Sequence, residues 1–440
     1  MIDFLIFYEH VNREIENDTL LKHELEKRGY SCEIIRHSGP GLYHYHKKKN
    51  RARVVVTPWL RYNVDVIEYL QYAKKPYKLV NLQYEQVYNK NGLDSGLVQI
   101  IDEAKKCYHT CWGENSYKRL LDSGVPKENL YITGAMQQDY GRPLFNDYYY
   151  PREKLAEEFS LDKDKKWILF VSSFTATAYG KKGAEILERK YKGIKESRAF
   201  SIKSHMKMLD WIEEFLKNSD SEFIYRPHPS EKDCERLVEM EEKYPNFHIN
   251  RAYSVKQWAK IADRVNLWIS TSNAEICSLG VDYSIIRPYP IPEHIEVESM
   301  HNEEFIDTLE NFIEINTNIP TPSKERVKKR LENLSYFYNY DENRAAYERF
   351  ADFLEVVYKK QEGIKFNLNL FEKIKYTFRE FKNRTASKFA EKQIENPKNN
   401  CANNPFIKPV VKTNICKLID NFNTKCAAEQ RVTEYLNNHE

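Results

Sequence analysis

The sequence predicts an α/β chain of two Rossmann-like halves with a helical tail, and three observations predict it. Short apolar runs alternate with amphipathic stretches from residue 4 onward, a second such series begins at Trp167, and the texture turns Lys- and Asn-rich after about Tyr358. At 440 residues the chain exceeds the size at which one hydrophobic core keeps growing. The halves are placed at 1–145 and 146–360, and a basic, partly flexible helical tail at 361–440.

Phe4 to Tyr8 is an unbroken run of apolar and aromatic residues and reads as a buried strand. Thr19 to Arg28 reads as a helix ended by Gly29, and Cys32 to Ile35 as the next strand. Arg53 to Thr57 is a β-branched run, Val64 to Ala73 a helix, and Lys78 to Gln83 a strand that stops in a polar loop. Cys107 to Trp112 follows as a strand, Ser116 to Ser123 as a helix closed by Gly124, and Leu130 to Thr133 as a strand closed by Gly134. Between Tyr140 and Leu155 periodicity gives way to Tyr, Asp, Arg and Pro, the composition of a linker. The second series has strands at Trp167 to Ser172, Glu222 to Tyr225, Phe247 to Ile249 and Leu267 to Ser270. Its helices are at Met206 to Lys217, Glu231 to Lys243 and Ser254 to Ala262. Short parallel strands separated by helices make doubly wound sheets, and two such halves facing a cleft form the GT-B architecture.

In the tail, Phe366, Leu368, Leu370, Phe371, Ile374, Phe378, Phe381 and Phe389 are interleaved with seven Lys and Arg residues up to Lys392. A basic amphipathic helix over 366–392 either lies on an anionic membrane surface or packs on its own protein or a partner. The Asn- and Pro-rich stretch Asn396 to Pro405 reads as a flexible break before a last helix near Ala427 to Leu436.

Composition narrows the function classes. Lys and Arg number 68 against 65 Asp and Glu, and a net charge of +3 is too weak a bias for nucleic acid to be the main partner. The eight cysteines are scattered without a second pair to complete a zinc pattern, as expected of reduced cytosolic thiols. The first residues turn charged too quickly for a secretory signal, and no apolar run is long enough to span a bilayer. The expected location is the cytoplasm, with the inner face of the membrane as the option the tail opens.

The most informative motif is Tyr225-Arg226-Pro227-His228-Pro229, directly after an apolar strand. Two prolines fix the backbone and end the strand, so the imidazole is presented at a carboxyl edge, where open α/β sheets bind ligands. A histidine there can hydrogen-bond a phosphate or a departing nucleotide oxygen. The second motif runs from Leu267 through Ser270, Thr271, Ser272 and Asn273 to Glu275, a strand that stops in hydroxyl residues and starts a helix. Unpaired first-turn amides and hydroxyls make a site for phosphate oxygens, with Glu275 either capping the helix or binding a ribose hydroxyl. A third is Ser172-Ser173 after the strand that opens the second half.

The order of Ser172-Ser173, then Arg226-Pro227-His228-Pro229, then Ser270-Thr271 resembles the bacterial GT-B enzymes that use CMP-activated acidic sugars: the capsule and O-antigen Kdo transferases and the related sialyl- and polysialyltransferases. The resemblance implies a glycosyltransferase moving a sugar, Kdo by preference, from a CMP-sugar to a capsule or lipopolysaccharide glycan. It implies His228 on the phosphate or leaving group, Pro229 as its companion, and Ser270 with Thr271 as the phosphate cradle. The first half becomes the acceptor side and the second the nucleotide side. The layout also looks like the CDP-glycerol and CDP-ribitol transferases of teichoic-acid synthesis, which usually carry an Asp-Tyr-Ser-Ser element where this chain has Ser270-Thr271-Ser272-Asn273. A non-catalytic scaffold of polysaccharide assembly is the reading from another class. The expected partners are a nucleotide-sugar donor and a glycan or glycolipid acceptor. No cofactor is expected beyond the donor substrate.

The remaining candidates lie around these motifs. Glu85, in Asn81 to Gln86 after a strand, is a candidate general base. Glu231 and Asp233 are read as first-turn helix charges, with one of them a nucleophile if the reaction passes through a covalent intermediate. Gly134 and Asp139 resemble a turn that closes the first domain in many sugar transferases. Arg36, His37, His44, His46 and Lys47 to Lys49 form a basic loop that either draws an anionic acceptor or is a solvated charge run. Asp162-Lys163-Asp164 precedes its strand instead of following it, so it reads as a loop and the transfer as metal-independent.

Overall fold

The computed structural model describes residues 2–37, 39–47, 51–94, 98–175, 181–190, 193–395 and 409–439. The chain divides into two compact units. Unit 1 comprises Met1–Gln86, Gln99–Met136 and Asn339–Glu440, and unit 2 comprises Val87–Val98 and Gln137–Tyr338.

Unit 1 is built on six parallel strands: β1 (Phe4–Tyr8), β2 (Cys32–Arg36), β3 (Val54–Thr57), β4 (Leu79–Asn81), β5 (Tyr108–Cys111) and β6 (Leu130–Ile132), in the order β2-β1-β3-β4-β5-β6. Every residue of β1 and β3 is buried, as a parallel sheet covered on both faces requires. The first crossover helix spans Val11–Lys27, two turns longer at its start than the apolar pattern predicts. Its extra residues include buried Glu14, Asn17 and Asp18, which interrupt the pattern, and the Glu14 carboxylate accepts from the amides of Glu9 (2.6 Å) and His10 (3.2 Å). The helix ends as expected at Gly29, whose φ of +89° suits only glycine comfortably.

Unit 2 has β7 (Trp167–Val171), β8 (Glu222–Arg226), β9 (Phe247–Ile249), β10 (Arg264–Leu267), β11 (Ser284–Ile286) and β12 (Phe305–Ile306), all parallel, in the order β12-β11-β10-β7-β8-β9. The order in which strands are added reverses between β7 and β10, the topological switch point of a Rossmann sheet. Phe170, Phe174, Trp211, Phe215, Tyr225 and Trp268 are among the residues of its aromatic core. Three elements differ from expectation. β10 sits three residues before the predicted Leu267 to Ser270, because Arg264 and Asn266 are buried strand residues. Arg264 donates to the Ser284 hydroxyl, and Asn266 Nδ2 donates to Asn316 Oδ1 at 2.8 Å. The helix expected from Glu231 begins at Glu235, so Glu231 and Asp233 lie in a turn. The predicted helix Met206 to Lys217 is the longer Ile194–Leu216.

The end of the chain is part of unit 1. Helix Ala346–Lys359, assigned above to the second half, packs on Val11–Lys27, with Arg28 joined to Asp352 at 2.9 Å. Helices Leu370–Glu395 and Pro409–His439 complete the unit, the latter through contacts such as Lys22 to Glu429 at 2.5 Å. The predicted last helix is contained in this longer one, and the expected break at 396–405 lies outside the described residues. Among the described residues no helix is long and apolar enough to cross a membrane.

Candidate functional site

The predicted motifs of unit 2 meet at one sheet edge. Val171, the last residue of β7, is in register with Arg226 of β8 on one side and Leu267 of β10 on the other. Ser172, Pro227 and Trp268 therefore leave three adjacent parallel strands at the same level, and the Ser172 amide continues the ladder to the Arg226 carbonyl at 2.9 Å. Ser172-Ser173, His228 and Ser270-Thr271 lie within four residues of those strand ends, the place where ligands bind in such sheets.

A buried carboxylate organises the histidine turn. Glu231, 4% exposed, accepts from the Ser172 hydroxyl (2.6 Å), the Tyr225 hydroxyl (2.7 Å) and the His228 amide (3.2 Å). Its own amide returns to the His228 carbonyl at 2.8 Å. Burial raises the Glu231 carboxyl above its ordinary range, against the lowering effect of these donors and of Arg251. Glu231 is thus a positioning residue under the turn and is not presented as a nucleophile. Behind it, Tyr225 also contacts Ser172 Oγ (2.8 Å) and His205 Nε2 (3.0 Å), and burial pushes His205 down to about 4, which keeps that ring neutral.

The half-buried His228 accepts the Ser230 amide on Nδ1 at 3.1 Å. In the neutral ring the proton then resides on Nε2, which makes that atom the donor for an incoming oxygen. Pro229 is exposed beside it. Arg251, which the sequence reading missed, donates to the carbonyls of His228 (3.3 Å) and Glu231 (3.0 Å) and pairs with Asp233 at 2.5 Å. It brings a guanidinium to the back of the turn and occupies the exposed Asp233. No local pattern announces Arg251, which follows the short strand β9 by two residues.

The other predicted residues divide. Ser173 Oγ is buried without a hydrogen-bond partner among the described residues, as are both amide atoms of Asn273, which is fully buried after the Ser-Thr-Ser run. These are uncommitted polar groups at the site edge, whereas the Ser172 hydroxyl is consumed by Glu231 and Tyr225. Arg226 turns away from the site and forks between the carbonyls of Ala252 (2.7 Å) and Tyr253. Ser270 Oγ accepts the Ser272 amide at 3.2 Å, Thr271 is exposed at the N-cap, and the helix that follows, Ser272–Ser278, is only seven residues long. Glu275 lies 3.9 Å from Lys256.

In unit 1, Glu85 is exposed after β4 and engaged on both oxygens, by Arg13 at 3.2 Å and Arg61 at 3.7 Å. His37 contacts the Tyr69 hydroxyl at 2.5 Å and packs on Phe7 and Trp59, so it is an aromatic-cluster residue instead of part of a solvated loop. His44 faces Glu391 at 3.7 Å, while the side chains of His46 and Lys47 and residues 48–50 lie outside the described residues. Gly134 is a close-approach glycine: a Cβ there would come within 2.4 Å of Arg349 Nη2. In unit 2, Asp139 is 1% exposed and bound to Arg142 at 2.9 Å, and Asp162 accepts the Asp164 amide at 3.0 Å in a local turn.

No protein-family model and no curated protein matches the chain. Solved structures do. S. aureus MnaA with UDP aligns with a TM-score of 0.51 at 13% identity, over 83% of this chain and all (100%) of that one. The Neisseria meningitidis UDP-GlcNAc 2-epimerase bound to UDP-GlcNAc gives a TM-score of 0.50 at 12% identity, over 81% and 100%. The wall teichoic acid polymerase TagF with CDPG gives 0.51 at 11% identity, over 82% and 89%. Likeness at this level of identity speaks for the backbone alone, and the chain has a GT-B-like fold of two Rossmann-like units with C-terminal helices.

Proposed function

We propose that the protein is a glycosyltransferase that moves a sugar, Kdo by preference, from a CMP-sugar to a bacterial surface glycan or glycolipid. The observation that carries this reading is the alignment of Ser172-Ser173, His228 and Ser270-Thr271 on the carboxyl ends of three neighbouring strands. In the proposed step the bond from the anomeric carbon to the donor phosphate breaks and its electron pair stays on the phosphate oxygen. His228 Nε2 donates a hydrogen bond to that oxygen. The Ser173 and Thr271 hydroxyls meet the remaining phosphate oxygens. The acceptor hydroxyl forms the new glycosidic bond and gives up its proton to a general base. Metal independence belongs to the same reading, and undiminished activity in EDTA is its expected signature.

A second reading, transfer of a polyol phosphate from a CDP-alcohol, is favoured by the likeness in fold to TagF, solved with CDPG. A thermal-shift panel of CMP, CMP-Kdo, CMP-sialic acid, CDP-glycerol and UDP-GlcNAc separates the readings. The proposal expects stabilisation by CMP and CMP-Kdo. It also expects His228→Ala to lower the transfer rate by about 10² while the protein stays folded, the usual cost of losing a leaving-group contact. Stabilisation by UDP-GlcNAc alone, or full activity in His228→Ala, refutes it.

A further inference from the structure

Helix Leu370–Glu395 is amphipathic in the inverted sense. The side that meets the rest of unit 1 is polar. Tyr72 donates to Glu380 (3.1 Å), and the Gly39 and Gly41 amides donate to Ser387 (2.9 Å) and Glu391 (2.8 Å), with Glu380 and Ser387 almost wholly buried. At about 100° per residue, Leu370, Phe371, Ile374, Phe381 and Phe389 fall in a sector that runs from the flank of this side, at about 80° from it, round to the opposite side. They are 67, 82, 49, 73 and 49% exposed. Exposed Lys382, Lys388 and Lys392 are interleaved with them. Large apolar groups gathered on one solvent-facing stripe require a partner.

The surface beside this stripe says which partner. The segment leading into the helix crosses the amino ends of the unit 1 strands, with the Ile364 amide bonded to the Tyr77 carbonyl at 2.8 Å and Gly363 pressed against Pro76 and Tyr77. Three adjoining hollows lie along it, and the largest, of about 700 Å³, has Ile67, Leu70, Phe366 and Leu368 in its walls and Arg51, Lys75, Lys365 and Lys373 around them. Together the three are lined by ten Lys and Arg residues and one carboxylate, Glu362. Lys106, Arg53 and Lys359 have acidic neighbours in Glu103, Asp3 and Glu355, which leaves the basin strongly cationic.

We infer that this face of unit 1 docks on an anionic phospholipid bilayer, with the aromatic stripe of Leu370–Glu395 entering the headgroup boundary and the basin taking lipid phosphates. Charge selects this occupant. A second copy of the chain would set one cationic basin and Lys-studded stripe against another, whereas an anionic lipid surface satisfies the aromatic and the basic groups at once. The inference gives a residue-level form to the membrane-surface option that the sequence opens for 366–392, and it stands without the donor chemistry.

The test is co-sedimentation of the full-length protein with vesicles of phosphatidylglycerol and phosphatidylcholine, against phosphatidylcholine alone. Salt-sensitive binding to the anionic vesicles only is expected. Phe371→Ser with Phe381→Ser is expected to weaken it at least about tenfold, and Lys75→Gln, Lys365→Gln and Lys373→Gln together about a hundredfold. All five side chains are exposed or lie at the surface, so melting temperature and CMP response should be unchanged, and Val238→Ser, an exposed apolar position in unit 2, should bind as the parent does. Absence of binding, equal binding to neutral vesicles, or unaltered binding by both variants overturns the inference. So does a dimer in light scattering that Phe371→Ser with Phe381→Ser dissolves, since a second copy would then own the face. A failure of the CMP thermal shift alone leaves this result standing and removes only the donor assignment.

Discussion

Replacing Glu231 tests whether one buried carboxylate holds the histidine turn in place. Glu231→Ala withdraws the acceptor from three donors, the Ser172 hydroxyl, the Tyr225 hydroxyl and the His228 amide. Tyr225 recovers by turning its proton toward His205 Nε2, 3.0 Å away, whose depressed pKa of about 4 leaves that nitrogen able to accept. The Ser172 proton recovers by turning to the freed Tyr225 oxygen 2.8 Å away, and only the His228 amide is left without its acceptor. One unsatisfied donor costs about 1 to 3 kcal/mol, and for a unit of this size that lowers Tm by about 6 °C. Glu231→Gln keeps a carbonyl for Ser172 and His228 and turns its NH₂ toward the reoriented Tyr225 oxygen, so the expected loss is only about 1 kcal/mol or about 3 °C. The pH dependence has a definite sign. The folded pKa of Glu231 is raised, so its contribution is fully present below the ordinary value of 4.5 and is lost as pH rises through the folded value. Glutamine does not ionise, so the gap between the parent and Glu231→Gln should narrow as pH climbs above 4.5. Thermal unfolding of the three proteins across pH is the assay. Equal damage from alanine and glutamine, or a gap that widens with pH, refutes the account.

Gly141→Ala would place a Cβ 2.0 Å from the Ser278 carbonyl oxygen, and because the obstacle is backbone the expected loss is about 3 kcal/mol in urea unfolding. Asp18 is fully buried with a strongly raised pKa, its Oδ2 has no partner among the described residues, and Tyr84 donates to Oδ1 at 2.6 Å. Its stabilising contribution is fully present below the ordinary value of 3.8 and is lost as pH rises through the folded value, so Asp18→Asn should raise Tm at neutral pH and gain progressively less toward acid. Arg226→Lys removes a guanidinium that spans the Ala252 and Tyr253 carbonyls, and an ammonium reaches one of them at best. The expected cost is about 1 to 2 kcal/mol by denaturant unfolding, with His228-dependent transfer retained.

What could be read in the sequence was what short-range chemistry decides. β1 and β7 stand out because strands buried on both faces are continuous apolar runs, and the His228 turn because prolines on either side leave the backbone few choices. β10 lies three residues before its expected place because the usual signal is inverted there: Arg264 and Asn266 are polar and inside, each bonded to a residue distant in sequence, Ser284 and Asn316. Glu231 shows the same limit at the site. Three residues past His228 it resembles a helix-start charge, yet its side chain folds back beneath the strand edge because Ser172, on the neighbouring strand, offers a buried donor. Arg226 fails in the opposite direction, since adjacency to His228 suggests a phosphate ligand while the carbonyls of Ala252 and Tyr253 claim the guanidinium. Sequence spacing therefore locates the edge on which ligands would sit. Which polar groups at that edge are committed to structure, and which are available to a substrate, depends on partners that only the assembled sheet supplies.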